Sequence, residues 1–328
     1  MSQERVYQVL SAAGDEFVSG QQLSSQLGIT RAAVWKAVES LRRQGYDIEA
    51  RSGCGYRLCR MSDRLGGREI AAYLTEAREN IYVYESIDST NTQCKRLAME
   101  VAADGTVVIA EEQTGGRGRR GRTFQSPRGL GLYLSVLWRP HCDPAALLPL
   151  TSLAAVAVSR AIERVTGERA AIKWPNDLLL RDKKIAGILT EMALEGESGQ
   201  IDYVVLGIGI NVHHTAADFT EDVAAMAASL DAVLGVTVSR PQLAAALLEE
   251  LDLLRREVMW QPERYLEEYR QRCVTIGRTV QVLRGEERKT AAALDVDEQF
   301  GLAVRYDDGT EETVRSGEVS VRGLYGYV

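Results

Sequence analysis

The chain has 328 residues, 45% hydrophobic and 26% charged, with a formal net charge of −7, the balance of a globular protein with two or three cored domains. Five scattered cysteines (Cys54, Cys59, Cys94, Cys142, Cys273), none in a CxxC pair, and only three histidines exclude a disulfide frame, a zinc site and a His-rich centre, and point to a reducing cytoplasm. No signal peptide is expected from "MSQERVYQVL", and no membrane span from the apolar stretch near 145–158, broken by Pro149, Thr151 and Ser152.

The charge is unevenly spread. Residues 1–62 carry +2 and the rest −9, which suggests a DNA-binding head on an acidic body. "SGQQLSSQLGITRAAVWKAVESLRRQGYDI" predicts two helices around a tight turn. Ser19 caps the first, where Leu23 and Leu27 repeat; Gly28 makes the turn, and Thr30 caps a second helix with Val34, Val38 and Leu41 inside. With a helix around Val6, Val9 and Leu10 this is a helix-turn-helix whose reading face carries Thr30, Arg31, Ala32, Trp35 and Lys36, with Arg42 and Arg43 beyond. Trp35 as a core residue of a plain three-helix unit is the alternative. "YDIEARSGCGYRL" predicts a two-stranded wing.

After "RMSDRLGG" the strands "IYVYES", "TVVIAEE", "LYLSVLW", "AAIKWP", "KIAGILTEM" and "YVVLGIGINV" alternate with helices at 91–102 and 146–165, and "RPQLAAALLEELDLLRREVM" adds a long helix. This predicts an α/β domain with a mixed sheet. From Val274 onward, short alternating strands predict a small β-barrel. The expected class is multidomain α+β, divided at 1–62, 66–272 and 273–328.

Between two of the strands lies "GGRGRRGRTF" (115–124). It lacks the lysine and the following helix of a P-loop, and strands flank it too closely for a linker. A basic RNA patch is the alternative, without aromatic support. Arginine matches phosphate oxygens in pairs and glycine admits close backbone approach, so the stretch predicts a flexible loop around an anion. "KWPND" (173–177), "KKIAG" (183–187) and "GIGIN" (207–211) end strands with Lys173, Asn176, Asp177, Lys184 and Asn211, with Lys184 expected across a hairpin from Asp177. Convergence of these ends makes a site for a phosphate-bearing ligand.

The ordered set "STN" (89–91), "EQTGGRGRRGR" (112–122), "KWPND", "KIAGIL" and "GIGIN" resembles biotin protein ligases, and the N-terminal helix-turn-helix resembles the bifunctional form that also represses biotin synthesis genes. The resemblance runs from about residue 5 to the C-terminus. It implies a winged helix-turn-helix, a central ligase domain and an SH3-like barrel. It also implies activation of biotin by ATP and Mg2+ to biotinyl-5′-AMP, then transfer to a lysine of the biotin carboxyl carrier protein.

By the same resemblance Ser89, Thr90 and Asn91 meet the biotin ureido ring, while Gln113, Arg117, Gly118 and Arg119, with Arg122, close over biotin and phosphate. Lys184 faces the reacting carboxylate and α-phosphate, and Lys173 and Asp177 orient that centre or bind it through magnesium. Asn211 holds the nucleotide side, and Gly116 and Gly187 flank the valeryl chain. No protein-only metal site is implied. Operator DNA, a homodimer promoted by the adenylate, and no membrane complete the expectation. Phe124 stands where the family often has tryptophan, and residues 212–230 hold no tryptophan to cover adenine, leaving Phe219 or aliphatic groups. A ligand-sensing transcription factor, a lipoate-type ligase and a ligase with an otherwise used DNA-binding domain are the rival readings. The arginine loop with Lys184 argues against the first two.

Overall fold

A computed structural model describes residues 2–60, 63–196, 198–257, 262–284, 287–315 and 320–323. The chain forms two compact units, residues 1–69 and 70–328.

The first unit holds α1 (Ser2–Ala12), α2 (Gly20–Leu27) and α3 (Arg31–Arg43), then the antiparallel hairpin of β1 (Asp47–Arg51) and β2 (Gly55–Arg60). Its helix ends are written locally. The Ser19 hydroxyl accepts from the Gln22 N–H while Gln22 Oε1 accepts from the Ser19 N–H, a reciprocal cap that opens α2. Gly28, at φ 65°, closes α2 in the left-handed conformation, and Thr30 Oγ1 opens α3 by accepting from the Ala33 N–H at 3.1 Å. Val6, Leu10, Leu23, Val34, Val38 and Leu41 make the core, joined by Tyr46 and Ile48.

Trp35 is not in that core: it is 55% exposed, on the same helix as exposed Arg31, Ala32 and Lys36. Arg42 is otherwise engaged, donating to Ile48 O at 3.0 and 2.6 Å and to Glu39 at 2.7 Å, so it braces α3 against the hairpin.

The boundary between units falls in the short helix α4 (Gly67–Ala71). The second unit is built on a seven-stranded sheet: β3 (Ile81–Tyr84), β4 (Thr106–Ala110), β5 (Gly131–Trp138), β6 (Ala171–Lys173), β7 (Asp177–Leu180), β8 (Lys183–Leu194) and β9 (Ile201–Asn211). Their order is β3-β4-β5-β9-β8-β7-β6, with only β3 and β4 parallel, so the sheet is mixed. The short β7 begins at the last residue of "KWPND", and its four residues carry no period of their own to mark it as a separate strand.

Side chains alternate across a sheet, which sorts the layers. Ser135, Leu137 and Val205 face α5 (Thr90–Met99), where Cys94 and Ala98 pack with Leu137 and Val205. Thr190 faces the other way and shares a hydrogen bond with Thr151 of α6 (Leu150–Thr166) at 2.8 Å. The stretch Pro144–Thr166 is apolar and long enough by composition to cross a membrane. Here its apolarity makes a core helix, with eleven of the residues of α6 buried.

Short helices α7 (Glu221–Ala224) and α8 (Leu230–Leu234) lead into α9 (Arg240–Glu257), which packs on α6. At its start Arg240 forms a buried pair with Glu111 at 2.8 Å and also donates to Gly131 O, tying both feet of the arginine segment to this layer. Helix α10 (Pro262–Arg272), which the sequence pattern does not announce, leads to β10 (Thr279–Arg284), β11 (Glu287–Val296), β12 (Leu302–Tyr306), β13 (Glu311–Val314) and β14 (Ser320–Gly323). These pair antiparallel in the order β13-β12-β11-β10-β14.

The exposure pattern of α3 makes a test. Leu41→Ala should cost the isolated 1–69 unit about 2–5 kcal/mol, whereas Trp35→Ala should stay within about 0.5 kcal/mol. Urea unfolding followed by circular dichroism checks both; a large loss for Trp35→Ala would return that ring to the core.

Candidate functional site

Where β8 and β9 pair beneath the site, Gly187 lies opposite Gly209, and Leu189 opposite Gly207. At Gly207 and Gly209 the bare position is required by what rests on it. A Cβ at Gly207 would lie 1.9 Å from Asn91 Oδ1, and one at Gly209 2.5 Å from the Phe124 ring. This glycine floor lets a helix and a loop descend onto the sheet, and between them opens a cavity of about 1020 Å³.

One wall is the N-terminus of α5. Asn91 Nδ2 donates to Glu191 Oε2 at 2.9 Å and to Leu189 O at 3.3 Å, while Gln113 Oε1 accepts from the Thr90 N–H and hydroxyl at 2.8 and 3.0 Å. Ser135 Oγ lies 2.7 Å from Thr90 Oγ1 and 2.6 Å from Asn91 Oδ1, its one proton serving either at a time. Thr90, Asn91 and Ser135 are buried and paired with one another, and half-buried Gln113 and the Glu191 carboxylate close the network.

The second wall is the arginine segment, expected as a flexible loop and found as an irregular hairpin. Gln113 bridges Ser126, the Phe124 N–H donates to Gly116 O at 3.0 Å, and the Gly118 N–H donates to Arg122 O at 2.7 Å. Arg117 reaches Glu191 Oε2 at 2.6 Å, and Lys95 reaches the other oxygen of the same carboxylate at 2.6 Å. Burial alone would raise the Glu191 carboxyl; hydrogen bonds from Lys95 and Asn91 and the charges of Lys95 and Arg117 outweigh it and hold it below the usual range. Arg119 donates to Asn176 Oδ1 at 2.7 Å. Lost hydration pulls its guanidinium below the ordinary arginine value, opposed by the charge of Asp177.

The third wall is the turn 173–177. Lys173 is buried at 6% exposure. Asn176 is fixed by mutual bonds with Ile188, its side chain donating to Ile188 O and its carbonyl accepting from the Ile188 N–H, both at 3.1 Å. Lys184 Nζ meets Asp177 Oδ1 at 2.7 Å. The two are not directly opposite: Asp177 pairs with Gly187 and Lys184 with Leu179, and an irregularity at Leu178/Leu179 lets the ammonium reach back. The Lys184 backbone also pairs with Met226 and Ala228, drawing segment 226–228 over this end. Asn211 Nδ2 donates to Ala228 O at 3.2 Å. Phe219 lines the cavity, with the ring of His214 stacked on it at 5.0 Å.

Every cavity residue singled out from sequence lines this chamber except Gly116, which is buried behind it against Phe124 O. Sequence reasoning missed Ser135, Glu191 and Trp174. A lone serine in "LYLSVLW" and a glutamate inside "GILTEMAL" were the available signals, each a polar group in an apolar strand.

His214 is 1% exposed, and burial pushes its imidazole down to about 4, opposed by Asp218. The unfolded chain takes that proton near pH 6.5 and the folded one only near pH 4. Stability is therefore complete above pH 6.5 and falls as pH drops toward 4, by roughly 2–3 kcal/mol for this group. His214→Asn should flatten the unfolding free energy over that window. An unchanged acid slope would mean that His214 is already protonated in the fold.

Comparison with known proteins places this geometry. Residues 83–211 match the Biotin/lipoate A/B protein ligase family, 2–57 an HTH domain and 275–322 the Biotin protein ligase C terminal domain. The chain is 34% identical over 314 residues to the bifunctional ligase/repressor BirA of Salmonella typhimurium, covering 94% of this chain and 95% of that one. It is 42% identical over 235 residues to the Bacillus spizizenii protein of the same name, covering 71% and 72%. The solved biotin protein ligase from Aquifex aeolicus in complex with biotin and ATP aligns with a TM-score of 0.63 at 28% identity, over 75% of this chain and all of that one. With a likeness that spans nearly the whole length, the chain belongs to the family of bifunctional biotin ligase/repressors, an ATP-dependent biotin protein ligase that carries its own helix-turn-helix.

Proposed function

We propose that this one cavity performs both half-reactions and that the observation carrying this is the shared chamber of the Lys184–Asp177 pair, the arginine hairpin and the buried Ser89–Asn91 group. In the first step an oxygen of the biotin carboxylate bonds to the α-phosphorus of ATP as the bond to pyrophosphate breaks, leaving biotinyl-5′-AMP. In the second, a lysine amine of the biotin carboxyl carrier protein attacks the acyl carbon, AMP leaves, and the amine releases a proton to solvent.

Ser89, Thr90 and Asn91 hold the ureido ring, since a ligand carrying both donors and acceptors suits a buried polar network. Asn91, bonded to Leu189, and the Lys184 ammonium, which reaches back beside Gly187, stand at separate points along β8, and the proposed biotin lies between them. Lys184 then places its ammonium where negative charge gathers between carboxylate and α-phosphate. Lys173 and Asp177 fix its position. Arg117, Gly118, Arg119 and Arg122 lie over the phosphate and shield the mixed anhydride from water, with Gln113 at the hairpin base. Gly187 leaves room for the valeryl chain, with Gly116 supporting the hairpin, and Asn211 anchors the segment whose Phe219 stacks on adenine.

Magnesium enters with the nucleotide. Among the described residues no cluster of three or more His, Cys, Asp or Glu side chains gathers to cage a metal. Magnesium is commonly held by one or two carboxylates and the nucleotide's own phosphates, so Asp177 suffices as the protein's contribution, and the ion would neutralise phosphate charge there.

Residues 1–62 act as the DNA-binding domain, with Thr30, Arg31, Ala32, Trp35 and Lys36 reading an operator and the β1–β2 hairpin as the wing; 66–272 is the ligase domain and 273–328 an SH3-like barrel. The protein works in the cytoplasm, dimerises with bound adenylate and so presents two reading helices to a palindrome.

Lys184→Ala should cut biotin-dependent pyrophosphate exchange by roughly two orders of magnitude or more with the fold intact; exchange at the wild-type rate would remove Lys184 from the mechanism. For the repressor half, operator binding should tighten when biotin and ATP are added, and dimers should appear in sedimentation. Equal binding in both states by a protein that stays monomeric would leave only the ligase.

A further inference from the structure

We infer that the turn Asp297–Gly301 positions Lys173, Asn176 and Asp177 by gripping Trp174. The inference rests on the ligase reading of the cavity and assigns Asp297 and Phe300 as positioning residues for it.

Lys173 is held from both sides by the segment entering that sheet. Before it, Ile172 O accepts from the Val274 N–H at 2.9 Å; after it, the Trp174 N–H donates to Thr275 Oγ1 at 3.0 Å. The Trp174 ring is buried at 2% exposure, and its Nε1–H donates to Phe300 O at 2.9 Å, a partner 126 residues away. A buried indole N–H without an acceptor is costly, so the position of that carbonyl fixes the position of the ring.

The carbonyl is offered at some expense. Phe300 has φ 59°, a left-handed conformation that bulky residues avoid. Asp297 imposes it: its Oδ1 accepts from the N–H groups of Gln299 and Gly301 at 2.9 and 2.7 Å, and its backbone O from the Phe300 N–H at 3.0 Å. The Phe300 ring, itself buried, stands edge-on to Tyr269 at 5.4 Å, and the Tyr269 hydroxyl donates to Pro175 O at 3.4 Å. A plain hairpin between β11 and β12 has no need of a strained aromatic. Strain kept by surrounding bonds marks a place where geometry matters.

From this grip the chain runs without slack into the reacting groups. Asn176 meets Arg119, and Asp177 meets Lys184. A displaced turn therefore moves the cation that faces the α-phosphate, and shifts of about 1 Å in such geometry cost on the order of 100-fold in rate. Phe300 and Asp297 touch no cavity surface themselves, so they are positioning residues.

The test uses the full-length protein. Asp297→Ala removes the side-chain acceptor; Asp297→Asn keeps an oxygen in its place. Pyrophosphate exchange, the biotin KM, the thermal midpoint and the Trp174 indole N–H resonance are measured for each. Asp297→Ala should lower the exchange kcat about 10-fold or more, leave the biotin KM within about twofold, and shift the indole resonance. Asp297→Asn should restore both. If Asp297→Ala folds poorly, Phe300→Leu, which keeps the carbonyl but replaces the ring with a smaller aliphatic side chain, should give a smaller loss of the same kind. The inference is overturned if the indole moves while kcat stays within twofold, if the indole of neither variant moves, or if lost activity only tracks lost folded protein. A wild-type chain without biotin-dependent exchange fails the ligase reading itself, and this inference with it.

Discussion

Gathering cations around one space sets the terms for the rest of the ligase unit. Arg117, Arg119, Arg120, Arg122, Lys173 and Lys184 all line the same cavity, against the carboxylates of Asp177 and Asp222. Two like charges 7 Å apart repel by about 2 kcal/mol at an effective dielectric near 20, so such a cluster opposes the compact state unless each member is anchored. The fold answers with Asp177 on Lys184, Glu191 on Arg117 and Asn176 on Arg119. What remains is a positive surface, which on the proposed reading an adenylate's phosphate would neutralise further.

The anchors also join parts that are far apart in sequence. Glu191 receives Asn91 and Lys95 from α5 and Arg117 from the hairpin, while Gln113 and Ser126 bond the hairpin base to Thr90. The groups read as meeting the ureido ring and the groups read as covering phosphate thus share one chain of hydrogen bonds. That network needs a helix and a hairpin to lie close on the sheet, which is why β9 carries glycine at 207 and 209. A methyl group at either would separate the walls.

Much of this was legible beforehand where the cause is local. Ser19, Gly28 and Thr30 set their helix ends by bonds within three or four residues, so the helix-turn-helix could be read from spacing. Continuous apolar runs marked buried strands, and the order of the basic and glycine motifs marked the chamber. The barrier was distance: nothing near Glu191 in the chain says that its partners are at 91, 95 and 117. Trp35 shows the same limit, since its place on α3 suited either a core or a reading face until Val34 and Val38 were seen to fill the interior.

By itself the sequence determined which residue types were available and the local geometry that presents them: arginines on a glycine-rich segment, a lysine and an aspartate at strand ends, capped helices in front. Those follow from backbone sterics and neighbours along the chain, which the sequence states directly. Only the tertiary structure decided which charges neutralise which, that Lys184 reaches Asp177 past an irregular β7–β8 register, and that a turn at 297–301 holds Trp174. These are outcomes of packing, where burial makes an unpaired polar group too costly to leave and so selects partners far apart in the chain, 126 residues in the case of Trp174 and Phe300.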